Sequence, residues 1–338
     1  GFEQESDLDA LVAKYQQVPS KPIFKVLDKT NSSPLIDINL LFNTGAAADP
    51  QGKKGVAALT AAMLAQGGST SMSYKDIKKA MYPLAGSFGY QIDKEMLSFQ
   101  GRIHKDNAAQ WYALVSEQLL NPGFREDDFK RLKKELGKEL LYSVLYKGHP
   151  YESYNYGDLS DLEALTLDDV KAFYNAELTQ AKLTVGLIGA VPEKLKAQML
   201  ADLATLPKGE QSRLTIPDAP ELKGHHATIV EKSAQSTAVS FGFPIDTIRS
   251  SEDWTALWLV RSYFGEHRSS NSYLYERIRQ TRGMNYGDYA YIEYFPRGMF
   301  QTKPDANLGR SEQIFQVWLR PLRSNNDAHF ATRTALFE

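Results

Sequence analysis

The residues best suited to metal binding are six histidines, because the 338-residue chain contains no cysteine. The lack of cysteine excludes disulfides, thiolate metal sites and a cysteine nucleophile. The histidines show no metal-ligand spacing: His104, His149, His225, His226, His267 and His329. His225 and His226 open a predicted strand, so their side chains should point to opposite faces. No G-x-G-x-x-G, P-loop or Ser-His-Asp arrangement stands out, so an independent enzyme built on one of these motifs has little support.

The composition is that of an ordinary globular protein, with 42% hydrophobic and 24% charged residues. A formal net charge of -2 gives no reason to expect nucleic acid or an acidic membrane surface as a partner. No apolar run approaches the ~18 residues of a membrane span. The chain begins with Gly and ends inside a helical pattern, "HFATRTALFE". We expect a processed form or a fragment of a longer protein, from which a signal peptide could have been removed.

The first part of the chain alternates between strand and helix patterns. "PLIDINLLFNTGAAADP" predicts a half-buried strand that enters a loop. "KKGVAALTAAMLAQGG" predicts a helix that ends at Gly67-Gly68, and "SYKDIKKAMYPLAG" a second helix that starts at a serine. "SFGYQIDKEMLSFQGRIH" alternates as one long strand or a hairpin. Further helices follow, and "LTVGLIGAV" predicts a buried strand before a helix that begins at Pro192.

A stretch rich in Pro, Gly and charge, residues 208–224, reads as a linker. We therefore expect a lead-in over 1–19, a first domain over 20–207 and a second over 225–338. The second part repeats the order weakly, with predicted strands "ATIVEK" and "STAVSFGFP" and predicted helices "SEDWTALWLVRSYFG" and "SYLYERIRQ". The sequence favours an α+β fold of two related domains. Each should be a mostly antiparallel sheet covered by helices on one face, with the second domain truncated.

Four stretches resemble the insulinase/pitrilysin family of zinc peptidases, which carries the inverted zinc motif. They are "FNTGAAADPQGKKGVAALTAAML", "GHPYESYNYGDLSDLEALTLDDVKAFYNAEL", "LTVGLIGAV" and "YLYERIRQTRGMNYGDY". Each stretch alone is moderately specific, but four in the correct order and spacing are hard to produce by chance. The similarity covers nearly the whole chain.

Active members of this family carry H-x-x-E-H on the first helix, where two histidines bind zinc and the glutamate activates water. This chain has Ala58 and Ala62 at the histidine positions and Ala61 at the glutamate position. A methyl group can neither coordinate a metal nor move a proton. The family's third ligand aligns with Glu139, which read alone belongs to a solvated face of "KRLKKELGKE". The resemblance therefore implies no metal in this chain and a non-catalytic half or subunit.

In the same family a second half supplies an Arg and a Tyr that hold and polarise the scissile peptide. The matching residues in "IRQTRGMNY" are Arg279 and Tyr286, with Arg282 as a rival for the arginine. A guanidinium and a phenol hydroxyl are donors suited to the charge that grows on a carbonyl oxygen under attack. Arg279 should lie in the last turn of a helix and Gly283 should turn the chain. The alternative is that Arg279 only stabilises the helix by interacting with the negative end of its dipole, and that Tyr286 packs at a sheet edge.

A further family feature is a strand that pairs with an extended substrate peptide. Gly89, Tyr90 and Gln91 in "GSFGYQIDKEM" occupy that position. A sheet edge can recognise peptide backbone without chemistry. An ordinary covered strand explains the same residues equally well.

Two hypotheses follow from these residues. The first is a catalytically silent half of a two-part zinc peptidase, in which a zinc-bearing half, separate in a heterodimer or part of the same polypeptide, cleaves the peptide. The second is a structural or peptide-binding module that kept the fold and has no role in proteolysis. Retention of Arg279 and Tyr286 favours the first. Analogy with bacterial family members favours a periplasmic or exported protein.

Overall fold

The computed structural model describes residues 22–135, 149–151, 155–211, 214–224, 226–229, 237–266, 269–284, 288–293, 295, 305, 308–322 and 325–337. Within these residues the strands are β1 Lys25–Thr30, β2 Leu35–Phe42, β3 Ser87–Ile92, β4 Leu97–His104, β5 Leu183–Gly189, β6 Thr237–Ile245, β7 Asp288–Tyr291 and β8 Gln313–Leu322. The α-helices there are α1 Val56–Gln66, α2 Tyr74–Met81, α3 Ala108–Leu120, α4 Glu126–Glu135, α5 Leu159–Ala164, α6 Leu167–Glu177, α7 Glu193–Leu203, α8 Trp254–Phe264 and α9 Asn325–Phe337. In this described part of the chain no helix is long and apolar enough to span a membrane.

The first half is built on a five-stranded sheet with the strand order β1-β5-β2-β4-β3. Strand β5 lies between β1 and β2, parallel to β1 and antiparallel to β2, and the remaining pairs are antiparallel. Alternate residues of β5, among them Val185 and Leu187, are buried, as expected of a central strand packed on one face. The main core lies between this sheet and the helices that follow the strands.

Local sequence signals explain the helix starts in this half. Ser73 caps α2, because its side chain accepts a hydrogen bond from the Asp76 backbone N–H. At α6 a capping box joins Thr166 and Asp169, each side chain bonded to the other's backbone. The stretch predicted as one long strand or a hairpin is a hairpin, formed by β3 and β4.

The second half is built on a three-stranded antiparallel sheet with the order β6-β8-β7. Helices α8 and α9 pack against this sheet. Two mostly antiparallel sheets with packed helices confirm the predicted α+β class. The domain limits at residues 19, 207 and 224 and the expected truncation of the second domain stay predictions.

Two elements of the second half differ from the sequence prediction. Residues 227–229, the described start of "ATIVEK", form no strand, and Ile229 is exposed rather than packed on a sheet. The predicted helix "SYLYERIRQ" forms, but residues Tyr275–Gln280 are wound as a π-helix. A π-helix is rare and is frequently found at functional sites.

Candidate functional site

Helix α1, with which the resemblance aligns the family's zinc helix, is buried on every side. Ala58, Ala61 and Ala62 are each at most 1% exposed, and every residue from Val56 to Ala65 is buried. The helix packs against β3, α4 and α6. At the three positions that the resemblance assigns to two imidazoles and a carboxylate, the structure thus has buried methyl groups, which cannot hold zinc.

The metal-ligating residues of the described chain give no alternative centre. No group of three or more His, Asp or Glu side chains in the described ranges is arranged to hold a metal ion. Glu139, aligned with the family's third ligand, lies outside the described residues. The residues that are described therefore offer no ligand set that fits zinc.

The start of α1 is held by Asp49, a residue that the sequence analysis did not select. Its carboxylate accepts hydrogen bonds from the backbone N–H groups of Gly55 (2.6 Å) and Ala57 (2.9 Å). Burial is the main cause that raises the pKa of Asp49 to about 7. Gly55 has a φ of 95°, and a Cβ there would lie 2.6 Å from the Tyr156 carbonyl oxygen. The loop before α1 thus fixes the position of the helix, although the helix has no catalytic or metal-binding side chain.

The tip of the β3–β4 hairpin binds the second half through a buried ion pair. Arg310 donates to both carboxylate oxygens of Asp93, over 2.8 and 2.5 Å. Both side chains are almost fully buried. The Asn155 amide also donates to Asp93, over 3.0 Å. A bidentate pair of this kind fixes geometry strongly, so the hairpin tip and the segment before β8 are held together.

The His-Pro-Tyr segment completes this contact. The Tyr151 hydroxyl donates to Glu95, whose carboxylate also accepts from the backbone N–H and the hydroxyl of Ser311. Burial raises the pKa of Tyr151 well above its usual value. His149 Nε2 lies 2.7 Å from the Pro217 carbonyl oxygen, and its Nδ1 accepts from the Tyr151 backbone N–H. The carbonyl can only accept, so Nε2 carries the proton. This segment therefore links the first sheet, the predicted linker and β8.

The predicted peptide-binding strand, β3, is the terminal strand of the five-stranded sheet. A Cβ added at Gly89 would meet nothing within 4 Å among the described residues, so open space lies over the face of the sheet there. Tyr90 and Gln91 are half-buried. The Gln91 amide donates to Asp305 of the second half over 3.2 Å. Among the described residues no strand pairs with the second side of β3, which borders the second half, and its role in substrate binding stays a prediction.

Arg279 lies in the π-helix at the expected place, one residue before its end. Its side chain is half-buried, and the guanidinium carbon lies 4.6 Å from the centre of the Tyr275 ring. Gly283 has a φ of 61° and its N–H donates to the Arg279 carbonyl, so the chain turns there as expected. Tyr286 lies outside the described residues, so the convergence of the two side chains stays a prediction.

Two further arginines differ in how they are used. The rival Arg282 is exposed and donates to the Arg277 carbonyl over 2.9 Å. Arg261, which the sequence analysis missed, is fully buried in the second half. It donates to the Ala290 carbonyl over 3.0 Å, and its guanidinium carbon lies 4.6 Å from the Trp258 ring centre. No sequence signal separates a core arginine of this kind from an exposed one at the same helical spacing.

Comparison with known proteins gives two family models that match in succession. Residues 25–143 match the model described as Insulinase (Peptidase family M16), and residues 164–326 match the model described as Peptidase M16 inactive domain. Together they cover most of the chain.

Curated relatives are distant but extend over much of the chain. An "Uncharacterized zinc protease" of Rickettsia bellii is 21% identical over 281 residues, 78% of this chain and 66% of that protein. A "Non-peptidase homolog YmxG" of Helicobacter pylori is 21% identical over 317 residues, 88% of this chain and 72% of that protein. The chain thus spans about two thirds of the length of such relatives.

Solved structures share the fold. A structure described as a peptidase M16 inactive domain from Pseudomonas fluorescens has a TM-score of 0.76 at 21% identity. The match covers 93% of this chain and 77% of that one. A chain of Complex III2 from Candida albicans has a TM-score of 0.68 at 15% identity, over 91% of this chain and 73% of that one.

Proposed function

Since the chain belongs to the M16 (insulinase) family of peptidases, we propose that it is the catalytically silent half of a two-part zinc metallopeptidase. The observation that supports this best is helix α1, in which Ala58, Ala61 and Ala62 are buried where the family's zinc ligands and base would lie. A helix that is retained in the fold without its zinc ligands is expected in a chain whose partner half supplies the zinc and the attacking water.

In this proposal a zinc-bearing half with an intact H-x-x-E-H helix provides the metal and the attacking water. That half is a separate subunit in a heterodimer or another portion of the same polypeptide. The chain described here binds no zinc of its own and cleaves no peptide alone. By analogy with bacterial family members, the pair would act in the periplasm or after export.

The contribution of this chain would be Arg279 and Tyr286. As water adds to the peptide carbonyl, negative charge grows on its oxygen, and two fixed donors stabilise that charge. Two observations support this role. Arg279 lies on a π-helix, a conformation that is frequent at functional sites, and the chain turns just after it at Gly283. The stacking of Arg279 on Tyr275 would hold the guanidinium in one orientation.

Substrate binding would involve the side of β3 with which no described strand pairs. An extended peptide can add to a terminal strand through main-chain hydrogen bonds. Gly89 has no side chain, so nothing at this position would hinder a peptide whose side chains lie over this face of the sheet. Tyr90 and Gln91 would then contact alternate side chains of the peptide.

The proposal is tested by reconstitution with a zinc-bearing family half from the same organism. Tyr286→Phe removes one donor and should lower the turnover of the pair by ~10²–10³, because one preorganised donor to an oxyanion contributes this much. Arg279→Ala should lower turnover and also raise the apparent KM. Arg282→Ala is the matched control, since this exposed arginine precedes the same turn, and should leave steady-state peptide cleavage unchanged.

The second candidate function is a non-proteolytic structural or peptide-binding module. The name of the Helicobacter pylori relative, a non-peptidase homolog, and the fold shared with a Complex III2 chain favour it. Unchanged turnover in both Arg279→Ala and Tyr286→Phe would leave this candidate as the better one. Binding of an unstructured peptide without cleavage in any reconstituted pair would support it directly.

A further inference from the structure

A groove of about 840 Å³ lies between α2 and the beginning of α4. Helix α2 packs on α3, and α4 packs on α1. We propose that this groove, the α2–α4 groove, is a docking site for an acidic peptide segment of a partner protein. The proposal is independent of any role in proteolysis.

The groove is strongly cationic, although the whole chain has a formal net charge of -2. Three lysines and two arginines line it, against two aspartates: Lys75, Lys78, Lys79, Arg125, Arg131, Asp127 and Asp128. Among the described residues, no carboxylate lies within ion-pair distance of Lys75 or Lys78. Lys79 is 4.0 Å from Asp76, at the limit of an ion pair. The ammonium groups are therefore available to an anionic partner.

The two arginines of the groove form hydrogen bonds that hold its walls together. Arg125 donates to the Ser69 carbonyl over 2.5 Å. Arg131 donates to the Gln66 carbonyl over 2.6 Å and to Asp128 over 3.0 Å. These bonds hold α4 against the end of α1 and largely neutralise Asp128. The cations left for a ligand are thus three lysines on one face of α2.

Tyrosine rings supply the apolar part of the surface. Tyr82 is 88% exposed at the end of α2. The Tyr74 ring is approached by Lys78 at 5.8 Å and by Arg131 at 5.5 Å, measured to the ring centre. Exposed tyrosine rings are typical of surfaces that bind protein segments.

These features favour a peptide over a compact phosphate group. Phosphate recognition relies on converging donors, above all the planar fork of an arginine with free N–H groups. Here Arg125 and Arg131 already bond to carbonyl oxygens through Nη2, and the unbonded Nη1 of Arg125 is buried, so neither presents an open fork. The remaining cations are ammonium groups on flexible side chains. An extended chain of glutamates and apolar residues matches a row of ammonium groups with tyrosines beside it.

The test measures binding of a fluorescein-labelled glutamate-rich peptide to the full chain by fluorescence anisotropy. The same peptide with glutamine in place of glutamate is the neutral probe. We expect saturable binding of the acidic peptide only, weakened by added salt because screening acts on exposed charges. Lys75→Glu/Lys78→Glu should weaken binding about tenfold or more. Tyr82→Ala should weaken it less, about threefold, through lost apolar contact.

The matched control is Lys194→Glu/Lys223→Glu, which reverses two exposed lysines outside the groove. It should leave the affinity unchanged. Equal weakening by the control pair would show non-specific attraction and overturn the proposal, as would the absence of saturable binding. Competition by inorganic tripolyphosphate at the same affinity as the peptide, lost in the same variants, would also overturn it and assign the groove to small anions. Circular dichroism of each variant ensures that a loss of binding is not a loss of fold.

Discussion

Helices α1 and α8 hold corresponding places in the two halves of the molecule. Helix α1 follows β2, and the strand order β2-β4-β3 recurs in the second half as β6-β8-β7, with α8 after β6. The environments of the two helices differ. Every residue of α1 before Gln66 is buried, whereas on α8 Leu259 is 66% and Tyr263 67% exposed.

The difference comes from what lies outside each helix. Helices α4 and α6 cover the outer side of α1. In the described part of the second half, α8 packs on β7 on one side and carries the buried Arg261 there, while its apolar outer side has no such cover. The same framework therefore makes one helix a core element and the other a surface element. Small side chains suit α1 because it is enclosed, not because the family fold requires them at this place.

The largest effect is expected from a carboxylate introduced into each helix. Ala61→Glu should lower the free energy of unfolding by more than about 3 kcal/mol, because it buries an unpaired charge and overfills the site. Leu259→Glu is the matched change on α8 and should alter stability by no more than about 0.5 kcal/mol, since the side chain lies at the surface. Urea unfolding followed by circular dichroism measures both. Similar losses in the two variants would show that α8 is enclosed as α1 is.

The next effect concerns the contact that joins the two halves. Arg310→Ala leaves Asp93 as an uncompensated buried charge and should cost about 3–5 kcal/mol. The double variant Asp93→Ala/Arg310→Ala should cost less than the sum of the single changes, because the two side chains act as a pair. We expect tryptophan fluorescence and far-UV circular dichroism to give separate unfolding transitions in the single variant. Coincident transitions and a loss below about 1 kcal/mol would contradict a coupling role.

The smallest effect is a pH dependence at the start of α1. The pKa of Asp49, raised by burial to about 7 from its ordinary value of 3.8, lies above that of the unfolded chain. The folded state therefore binds more protons than the unfolded state between these values, and this contribution to stability is lost as pH rises through about 7. Asp49→Asn removes it, so wild type should lose stability relative to this variant when the pH is raised from 5 to 8. Urea midpoints of the two proteins measure the difference, and a pH-independent difference would rule out the raised pKa.

Much of the fold is predictable because it rests on local signals. Ser73 and the Thr166–Asp169 box mark helix starts, and the alternation in β2 marks a strand buried on one face. The resemblance also places Ala58, Ala61 and Ala62 on the helix where the ligands are missing. Side-chain type and short-range spacing are enough for these features.

The rest depends on residues that are far apart in the chain. Asp93 and Arg310 are 217 residues apart, and no local pattern pairs them. In the sequence Asp49 is one of several polar loop residues. Only the folded backbone places its carboxylate next to the N–H groups at the start of α1. The π-helix around Arg279 cannot be told from an α-helix by apolar spacing, because it adds only one residue to a turn.

The position of β5 between β1 and β2 has a consequence for how the chain is made. Lys25 of β1 pairs with Thr184 and Asp37 of β2 with Ile188, so until β5 has been synthesised β1 has no strand beside it and β2 has only β4. Contacts of such long sequence separation form slowly, and open strand edges favour aggregation meanwhile. The nascent first half should therefore rely on chaperones until residue 189 has left the ribosome. In pulse-labelled hydrogen exchange, the amides of β1 should gain protection together with those of β5 and after the β3–β4 hairpin.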